Sequence, residues 1–299
     1  MAVGMITDIE RCSFRDGPGI RTVVFFKGCN MHCKWCHNPE TISPRKSMMY
    51  YPQRCISCFK CVYACPSKAQ KRIDGVHRFF PRLCIQCGKC AAVCYAEAMV
   101  ASSRSMKVED VMREVRQDKA YYQGSGGGVT LTGGEVMCQI PFAVELADAC
   151  RAEGIPVGIE TNLCLPFEQM LPLLSRSDIV MCDLKLWDSS EHQRWTGVPN
   201  ELIIENIRRL DELGKPIIVR TPLIPGATDS EENISAISAF LAGIKNLSYY
   251  ELLNFNPLGG SKYESMGLKN EFAGIKPLPR ERVAALAAVA RAHCTTRTD

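Results

Sequence analysis

The chain has 299 residues, of which 46% are hydrophobic, so it can bury a substantial core as one large α/β domain or as two smaller domains. Its 36 basic and 32 acidic residues give a formal net charge of +4, and a charge this small and evenly spread does not favour nucleic acid or an anionic membrane as a partner. Because no apolar run approaches the roughly 18 residues of a membrane span and no secretory signal pattern is found, we expect a cytoplasmic protein.

Six strands and six helices are predicted from the apolar pattern. In chain order, the strands span residues 21–27, 128–132, 156–160, 178–183, 216–221 and 249–254, and each is rich in β-branched or aliphatic side chains. The helices span residues 108–119, 140–153, 167–174, 201–213, 231–241 and 280–293. In the fourth helix, Ile203, Ile207 and Leu210 recur at helical spacing, which predicts a face that packs on the sheet.

This alternation of strands and helices predicts βα units around a parallel sheet. We therefore predict an α/β fold, a partial (β/α)6 TIM-like barrel with functional residues at the carboxyl ends of the strands. Residues 50–101 interrupt the scheme after the first strand and are predicted to form a separate insertion. The barrel then consists of residues 1–49 and 102–299.

Seventeen cysteines are present, and in a chain of this size without an export signal they favour metal ligation over a disulfide framework. Within residues 50–101 the spacing C-x2-C-x2-C-x3-C occurs twice, 29 positions apart. The first run is Cys55, Cys58, Cys61 and Cys65, and the second run is Cys84, Cys87, Cys90 and Cys94. This pattern is typical of bacterial two-cluster ferredoxins, in which the fourth cysteine of each run ligates the other cluster.

The insertion is therefore predicted to be ferredoxin-like and to carry two [4Fe-4S] clusters. One cluster would be held by Cys55, Cys58, Cys61 and Cys94, and the other by Cys84, Cys87, Cys90 and Cys65. Pro66 follows the first run as the pattern expects, whereas Tyr95 takes the place of proline after the second run. Zinc is the alternative metal, but zinc sites favour pairs of cysteines separated by longer loops.

A third group, Cys29, Cys33 and Cys36, supplies three closely spaced thiolates and no evident fourth ligand. In a four-iron cluster held by these residues, one iron would be open to an exogenous chelating group, and the group follows the first predicted strand, where a barrel places its functional site. His32 and His37 are alternative ligands, although a complete protein shell would remove the reason for this spacing.

The six remaining cysteines stand singly in apolar or helical contexts. For each of them, a buried and inert thiol is expected rather than a metal ligand. These residues are Cys12, Cys138, Cys150, Cys164, Cys182 and Cys294.

The spacing C-x3-C-x2-C at residues 29–36, with an aromatic residue inside it, resembles the radical S-adenosylmethionine superfamily. The segments DGPGIR at residues 16–21 and CHNPET at residues 36–41 narrow the resemblance to the glycyl-radical-enzyme activating enzymes. The resemblance covers nearly the whole chain. The ferredoxin-like insertion resembles the subgroup that serves glycyl radical enzymes other than pyruvate formate-lyase.

The resemblance implies that S-adenosylmethionine chelates the open iron and is cleaved when the reduced cluster delivers an electron. The resulting 5'-deoxyadenosyl radical would take the α-hydrogen from a glycine in the C-terminal loop of a partner glycyl radical enzyme. The implied cofactors are three [4Fe-4S] clusters and S-adenosylmethionine. A flavodoxin or ferredoxin-type electron donor, an anaerobic setting and a monomeric chain without nucleic acid or membrane are also expected.

Two other functions fit parts of the pattern. A radical S-adenosylmethionine enzyme acting on a small molecule would need an additional substrate pocket, and the sequence identifies none. A ferredoxin-type electron-transfer protein would leave the three-cysteine group and residues 133–135 without a purpose.

The resemblance also implies which residues form the site, position by position. Gly133, Gly134 and Glu135 match the motif that contacts the methionyl amino group, the alternative being a tight turn with an exposed carboxylate. Lys185 matches a partner for the cofactor carboxylate, the alternative being a surface lysine. The predicted cofactor contacts are Trp35, Cys36, His37, Gly133, Gly134, Glu135, Glu160, Asp183, Leu184, Lys185, Arg220 and Asn256. For Trp35, ordinary packing is the alternative to a wall for a purine ring, and for Arg220 the alternative is a structural ion pair.

The family also implies a monovalent cation beside the cofactor. The matching positions are Glu160, Thr161, Met181 and Asp183, with Glu160 in place of the usual aspartate. By this resemblance, these four residues are predicted to form the cation site.

Two further segments bear on the partner. Asp16 and Arg21 are predicted to contact the partner's glycine loop, the alternative being a Pro-Gly turn that leads into the first strand. Asn254 and Asn256 stand where the family has proline and histidine, so Asn256 can hydrogen-bond a ribose or a carboxylate but cannot titrate near neutral pH. These replacements disfavour pyruvate formate-lyase as the partner. The reactions left open for the partner are isethionate cleavage, hydroxyphenylacetate decarboxylation, diol or hydroxyproline dehydration, and arene addition to fumarate.

Overall fold

The computed structural model describes residues 2–298, in which the backbone forms strands β1–β13 and helices α1–α12. The strands are β1 (Val3–Ser13), β2 (Arg21–Phe26), β3 (Met48–Tyr50), β4 (Gln70–Ile73), β5 (Val76–Phe79), β6 (Met99–Ala101), β7 (Arg104–Lys107), β8 (Gly128–Gly133), β9 (Val157–Thr161), β10 (Ile179–Asp183), β11 (Ile217–Leu223), β12 (Leu247–Asn254) and β13 (Thr296–Thr298). The helices are α1 (Pro39–Ile42), α2 (Lys60–Ala64), α3 (Lys89–Ala92), α4 (Val108–Val115), α5 (Lys119–Ser125), α6 (Ile140–Ala152), α7 (Phe167–Leu174), α8 (Ser189–Thr196), α9 (Glu201–Glu212), α10 (Glu231–Leu241), α11 (Gly260–Met266) and α12 (Arg280–Arg291). Between residues 2 and 298, no helix is long and apolar enough to cross a membrane.

Nine strands form one sheet in the order β7-β1-β2-β8-β9-β10-β11-β12-β13. Neighbours from β2 to β13 run parallel, whereas β1 runs antiparallel to both β2 and β7. The six predicted strands are β2 and β8 to β12, and they lie side by side in chain order. The α/β fold with a parallel partial barrel is therefore confirmed.

Strand β1 is an element that the sequence analysis missed. In it only Gly4, Ile6 and Ser13 are buried. The charged residues in its second half interrupt the apolar alternation by which a strand is recognised. Its antiparallel pairing extends the sheet beyond the first βα unit.

The predicted helix at residues 108–119 is interrupted. Helix α4 ends at Val115, and a 3-10 turn at Arg116–Asp118 leads into α5. The reason is Asp118, whose buried carboxylate accepts hydrogen bonds from Thr22 Oγ1 at 2.7 Å and Arg11 Nε at 3.0 Å. Satisfying that carboxylate turns the chain inward, where a continuous helix would leave it unpaired.

The main apolar core lies between the sheet and its helices. Ile203, Ile207 and Leu210 of α9 are fully buried in it, as their spacing predicts. The opposite face of the sheet carries a smaller apolar cluster that includes Met181 and Ile218. Since side chains alternate along a strand, this second face also carries Asp183 and Arg220 at the carboxyl ends.

The register of the parallel strands sets polar side chains in a row. Asp183 on β10 pairs with Arg220 on β11, and Arg220 pairs with Glu251 on β12. On the other side, Met181 pairs with Glu160 on β9. The sheet thus places charges of both signs on adjacent strands.

The segment between β2 and β7 contains two small antiparallel pairs, β3 with β6 and β4 with β5. Its sequence repeat is also a structural repeat: a 3-10 turn begins at Pro52 and again at Pro81, and a short helix begins at Lys60 and again at Lys89. The boundary of the insertion at residues 50–101 stays a prediction.

Candidate functional site

A cleft of about 430 Å³ opens at the carboxyl ends of the parallel strands. A parallel sheet brings the residues that follow successive strands to one edge, so residues distant in sequence meet there. The predicted residues in its lining are Asp16, Cys29, Cys33, Trp35, Cys36, His37, Gly133, Gly134, Glu135, Glu160, Thr161, Asp183, Lys185, Arg220 and Asn256. The other lining residues are Arg15, Met31, Thr132, Asn162, Pro222, Ile224, Leu253, Asn254 and Phe255.

The three-cysteine group forms a loop directly after β2. The backbone N–H groups of Gly28 and Cys29 donate to the last two carbonyls of α1, at 2.7 and 3.0 Å. The Tyr263 hydroxyl of α11 donates to the Cys36 carbonyl at 3.0 Å. These bonds hold the loop so that Cys29, Cys33 and Cys36 share one cleft, which is what three ligands of one cluster require.

Burial and nearby hydrogen-bond donors act in opposite directions on these thiols. Burial raises the pKa of Cys29 and of Cys33, and it raises the pKa of Cys36 to about 12, so the free thiols stay protonated near neutral pH. Thiols release these protons when they ligate a metal. The backbone N–H of Met31 lies 3.4 Å from the Cys29 sulfur, and the Asn162 amide lies 3.9 Å from it. Donors in these positions stabilise a thiolate.

Gly133 and Gly134 allow two strand ends to meet. A Cβ on Gly133 would lie 2.2 Å from the backbone nitrogen and oxygen of Phe26, and a Cβ on Gly134 would lie 2.4 Å from the Gly28 carbonyl oxygen. Gly133 also has a positive φ of 126°, which favours glycine. The absence of side chains lets the Glu135 N–H donate to the Gly28 carbonyl at 2.7 Å. The Gly-Gly-Glu turn is thereby joined to the cysteine loop.

Glu135 is a buried carboxylate rather than the exposed one of a simple turn. Its oxygens accept hydrogen bonds from the Met137 N–H at 3.0 Å, the Thr161 hydroxyl at 2.8 Å and the Asn162 N–H at 2.7 Å. Burial raises the pKa of Glu135 to about 7, against the lowering effect of these donors. The carboxylate is held rigidly at the cleft wall and would be stabilised in its charged form by a bound cationic group.

Arg220 is both an ion-pair residue and a cleft residue. It is 3% exposed, and its guanidinium donates to Glu160 at 2.9 Å, to Glu251 at 2.7 Å and to the Arg15 carbonyl at 2.9 Å. Burial alone would raise the pKa of Glu160, but Arg220 outweighs it and the pKa is lowered. The structural ion pair and the active-site position, stated above as alternatives, therefore coexist in one residue.

Lys185 is not a surface lysine. Its ammonium donates to the Asp183 carboxylate at 2.6 Å, and its side chain is largely buried at the cleft. Burial would lower the pKa of Lys185, but the Asp183 carboxylate reverses the shift and the pKa is raised. The Lys185 ammonium thus stays charged at the cleft, in an ion pair with Asp183, and can donate to a carboxylate.

Aromatic side chains form one wall of the cleft. Trp35 packs against Trp195 at 6.1 Å between ring centroids and against Phe272 at 6.2 Å, in a cluster that also contains Phe255. Trp35 and Phe255 both line the cleft. Packing and wall formation, the two alternatives for Trp35, are thus combined.

The asparagine segment after β12 lies at the rim. Asn256 lines the cleft and accepts a hydrogen bond from the Leu258 N–H at 3.0 Å, while Asn254 is bonded to the backbone of Leu278. His37 lies against the backbone of Asn256, and burial lowers the pKa of this histidine. This edge of the cleft is therefore lined by uncharged hydrogen-bonding groups.

The residues of the predicted cation site already have partners in the protein. Glu160 is paired with Arg220, Asp183 is paired with Lys185, and the Thr161 hydroxyl donates to Glu135. Met181 is fully buried in the apolar cluster on the inner face of the sheet. The cation site stays a prediction.

Leu184 and Arg21 lie outside the cleft lining. Leu184 is fully buried in the main core. Arg21 is 2% exposed, and its guanidinium donates to the Thr130 hydroxyl at 2.6 Å and the Val129 carbonyl at 2.7 Å. Arg21 thus fixes the start of β2, whereas Asp16 reaches the cleft and accepts a hydrogen bond from Ser13.

Asn162 is the main site residue that the sequence analysis missed. It links Glu135 to the cysteine loop, because its N–H donates to Glu135 and its side-chain amide donates to Asn30 at 2.8 Å. Asn162 directly follows β9, so the rule that functional residues follow barrel strands would have found it.

In the insertion, the first predicted cluster site is a cavity. Its lining contains Cys55, Cys58, Cys61 and Cys94, so the structure brings the fourth cysteine of the second run to the first run. Among residues 2–298, no three His, Cys, Asp or Glu side chains are arranged to hold a single metal ion.

The second predicted site has a related environment. The Ala69 N–H donates to the Cys65 sulfur at 3.2 Å, as the Met99 N–H does to the Cys94 sulfur at 3.4 Å. Cys58 and Cys87, at equivalent places in the two runs, are both exposed.

Two expectations need correction. Cys150 and Cys182 are buried, but Cys138 is exposed, because it lies on the 3-10 turn Val136–Gln139 that follows the Gly-Gly-Glu turn. The charge is also not evenly spread: residues 50–101 contain eight basic and two acidic residues, whereas the rest of the chain contains 28 basic and 30 acidic residues. The net positive charge therefore belongs to the insertion.

Comparison with sequence families agrees with this geometry. The family model of the Radical SAM superfamily matches residues 85–236. The models of a 4Fe-4S single cluster domain and a 4Fe-4S dicluster domain match residues 15–69 and 47–95. The matches include the three-cysteine group and both runs of four cysteines.

Related proteins extend over nearly the whole chain. The benzylsuccinate synthase activating enzyme of Thauera aromatica is 37% identical over 306 residues, covering 98% of this chain and 91% of the relative. The trans-4-hydroxy-L-proline dehydratase activating enzyme of Clostridioides difficile is 39% identical over 270 residues, covering 89% of each chain. In fold, a radical SAM methyltransferase from Sphaerobacter thermophilus matches with a TM-score of 0.56 at 14% identity, covering 98% of this chain and 76% of the methyltransferase. The chain therefore belongs to the radical S-adenosylmethionine superfamily and, within it, to the activating enzymes of glycyl radical enzymes.

Proposed function

We propose that Cys29, Cys33 and Cys36 hold a four-iron cluster whose open iron receives S-adenosylmethionine, and that this site forms the glycyl radical of the partner enzyme. The observation that supports this proposal is that three thiols, the Glu135 carboxylate and the Lys185 ammonium line one cleft. When bound, the cluster and S-adenosylmethionine supply a 5'-deoxyadenosyl radical that removes the α-hydrogen of a glycine.

The charged groups of the cleft suit the two ends of an amino acid. Glu135, held by three donors, is proposed to accept hydrogen bonds from the methionyl amino group. Lys185 is proposed to bind the methionyl carboxylate while it remains paired with Asp183. Burial strengthens both interactions and excludes water from the reacting atoms.

The other end of the cleft suits a nucleoside. Trp35 and Phe255 offer aromatic surface for the purine ring, and the Asn256 amide offers a hydrogen-bonding group for the ribose. Arg220 and Glu160 form the floor beneath. These residues are proposed to orient the cofactor and to hold the reactive carbon toward the glycine loop.

Asp16 is proposed to contact the partner's glycine loop. It lines the same cleft as the cysteines, and the Arg220 guanidinium binds the carbonyl of its neighbour Arg15. Because Arg21 is buried and outside the cleft lining, Asp16 alone of the two predicted residues can meet an incoming loop.

The insertion is proposed to be a separate unit, residues 50–101, that holds two further clusters and relays electrons to the cleft. The cavity lined by Cys55, Cys58, Cys61 and Cys94 supports the crossed ligand pairing. The exposed Cys58 and Cys87 support electron entry from outside, since they would bring an edge of each cluster to the surface.

An acidic flavodoxin or ferredoxin is proposed as the electron donor. The excess of basic residues in the insertion supports docking of such a donor by charge complementarity, although the two ligated clusters, at about −2 each when oxidised, would offset part of this charge. All 17 cysteines are free, which supports a reducing, anaerobic cytoplasmic setting.

The function is tested by anaerobic incubation with a reductant, S-adenosylmethionine and candidate partners. Benzylsuccinate synthase, trans-4-hydroxy-L-proline dehydratase and isethionate sulfite-lyase are the first candidates, because relatives are named for activating them. A glycyl doublet in the electron paramagnetic resonance spectrum of one partner is expected. Cys33→Ala should abolish the doublet, whereas Cys138→Ala, a change in an exposed thiol outside the ligand set, should retain it. No doublet with any glycyl radical enzyme, in a protein that carries its full iron content, would contradict the proposal.

A further inference from the structure

The two cluster sites of the insertion are related by the 29-residue repeat, but their polar surroundings differ. Tyr50 on β3 pairs with Met99 on β6, and Phe79 on β5 pairs with Gln70 on β4. In the repeat, Tyr50 corresponds to Phe79 and Gln70 corresponds to Met99. Each pair therefore has one residue that can donate a hydrogen bond and one that cannot, in exchanged positions.

At the first site the donor is a tyrosine. Tyr50 lines the cavity that contains Cys55, and its hydroxyl lies within hydrogen-bonding reach of the Cys55 thiol. The corresponding residue at the second site, Phe79, has no hydroxyl.

At the second site the donor is an amide. Gln70 is 2% exposed, and its side chain lies within hydrogen-bonding reach of the Cys90 thiol. The corresponding residue at the first site, Met99, has a thioether instead of an N–H donor.

A histidine joins the two donors. His77 is 3% exposed, its Nε2 lies 2.7 Å from the Gln70 side-chain oxygen, and its ring meets the Tyr50 ring edge-on at 4.6 Å. With the amide N–H of Gln70 directed at Cys90, the Gln70 oxygen accepts from Nε2–H, which fixes the histidine tautomer. Nδ1 then has no hydrogen-bond partner among the described residues, and His77 borders the cavity of the first site.

Side chains therefore connect Cys55 of one site to Cys90 of the other through Tyr50, His77 and Gln70. We infer that these three residues, termed here the polar bridge, set the reduction potentials of the two clusters separately, Tyr50 through Cys55 and Gln70 through Cys90, with His77 positioning both donors. This inference rests on the proposed cluster ligands. A hydrogen bond to a ligand sulfur stabilises the more negative, reduced cluster, so loss of a donor lowers its potential.

The repeat itself supplies the test variants, because each site already accommodates the residue to be introduced at the other. Tyr50→Phe and Gln70→Met are made in the full chain, and midpoint potentials are measured by anaerobic redox titration monitored by electron paramagnetic resonance. Each change is expected to disfavour reduction of one cluster threefold to tenfold, which is about 28 to 59 mV for one electron. The two variants should shift different potentials. Tyr63→Phe, at an exposed tyrosine of the insertion, should shift none.

His77 is tested as a positioning residue. His77→Leu should lower both potentials, and His77→Gln, which keeps an N–H donor, should restore the potential that depends on Gln70. Repeating the titrations with Cys29→Ala, Cys33→Ala and Cys36→Ala in place removes the signal of the proposed third cluster. Iron and sulfide content distinguishes a wrong ligand assignment from a wrong polar bridge. If both insertion clusters are lost only when the eight cysteines are changed, the ligand assignment is supported. Full iron with unchanged potentials, or both variants shifting the same potential, would overturn the polar bridge.

Discussion

Arg220 shows how one residue serves both the stability of the barrel and the chemistry of the cleft. Its guanidinium is buried and forms ion pairs with Glu160 and Glu251, at 2.9 and 2.7 Å. The same guanidinium holds the Arg15 carbonyl next to Asp16. Loss of the Arg220 guanidinium therefore affects Glu160 at the floor of the cleft and the segment at Arg15 together.

Replacing Arg220 with methionine keeps most of its volume and removes its charge. Because two buried carboxylates would lose their partner, we expect the free energy of unfolding to fall by about 3–5 kcal/mol at neutral pH. In the unmodified protein the pKa of Glu160 is below its ordinary 4.5, so its contribution to stability is complete above that pH and is lost only as the pH falls through the folded value. In Arg220→Met, the effect of burial is opposed only by the Thr132 hydrogen bond and the Lys185 charge, so we expect a higher pKa for Glu160 and a variant that regains stability as the pH is lowered.

Urea unfolding at about pH 8 and about pH 6 measures this effect, and the difference between variant and unmodified protein should be smaller at the lower pH. Arg113→Met is the matched control, because Arg113 is exposed and its ion pair with Asp110 at 3.2 Å is worth at most about 1 kcal/mol. An equal loss at both pH values would mean that Arg220 acts by packing rather than by charge.

At the scale of elements, the strands that line the cleft are the part of the fold that sequence predicts best. Strands β2 and β8 to β12 all contain buried aliphatic or β-branched residues, and short runs of this kind are readable without a structure. Strand β13 has only three residues, and only three of the eleven residues of β1 are buried, so neither leaves an apolar pattern. Their place is decided by pairing with neighbours distant in sequence.

The site residues also divide into those that the sequence predicts and those that only the folded chain reveals. Cysteine spacing identifies the candidate ligands, and the resemblance to the family identifies Glu135 and Asp183, which lie just after β8 and at the end of β10. The donors that fix Glu135 come partly from Thr161 and Asn162 at the end of another strand, which only the folded chain brings near. For the same reason, burial of Arg21 is not evident from a segment that is otherwise a Pro-Gly turn.

A substitution at Gly134 tests whether the site needs the close approach of the turn after β8 to the cysteine loop. In Gly134→Ala the new Cβ would meet the Gly28 carbonyl oxygen at 2.4 Å and the Thr41 carbonyl oxygen at 2.9 Å. Both atoms belong to the backbone and cannot rotate away, so we expect a loss of about 1–3 kcal/mol in stability and weaker binding of S-adenosylmethionine. Urea unfolding and equilibrium binding measure the two effects.

Gly124→Ala is the control for this change. Gly124 lies in α5, and a Cβ added there would have no atom within 4 Å, so alanine should be neutral or should stabilise by up to about 1 kcal/mol. If Gly134→Ala behaved like Gly124→Ala, the contact between the turn and the loop would not be needed to hold the site.

At the scale of the whole molecule, charge and chemistry are separated. The cleft lies at one edge of the sheet, and the basic excess lies in the insertion, where Cys58 and Cys87 are exposed. A uniform charge of +4 would have little directional effect, whereas a concentrated one steers an oppositely charged protein toward one surface. The proposed route of electrons therefore begins at the surface that attracts an acidic donor.

Charge-reversal variants distinguish attraction of the donor to the insertion from an effect of the net charge of the chain. Lys68→Glu with Lys89→Glu changes two exposed residues of the insertion, and Lys245→Glu with Arg291→Glu makes the same change in net charge near the amino ends of β12 and β13. With an acidic flavodoxin as reductant, stopped-flow reduction at low salt should slow about tenfold in the first pair and little in the second. The difference should shrink as salt shortens the range of the field to a few ångströms. Equal slowing of the two pairs would show that the donor responds to net charge alone, and that electrons need not enter through the insertion.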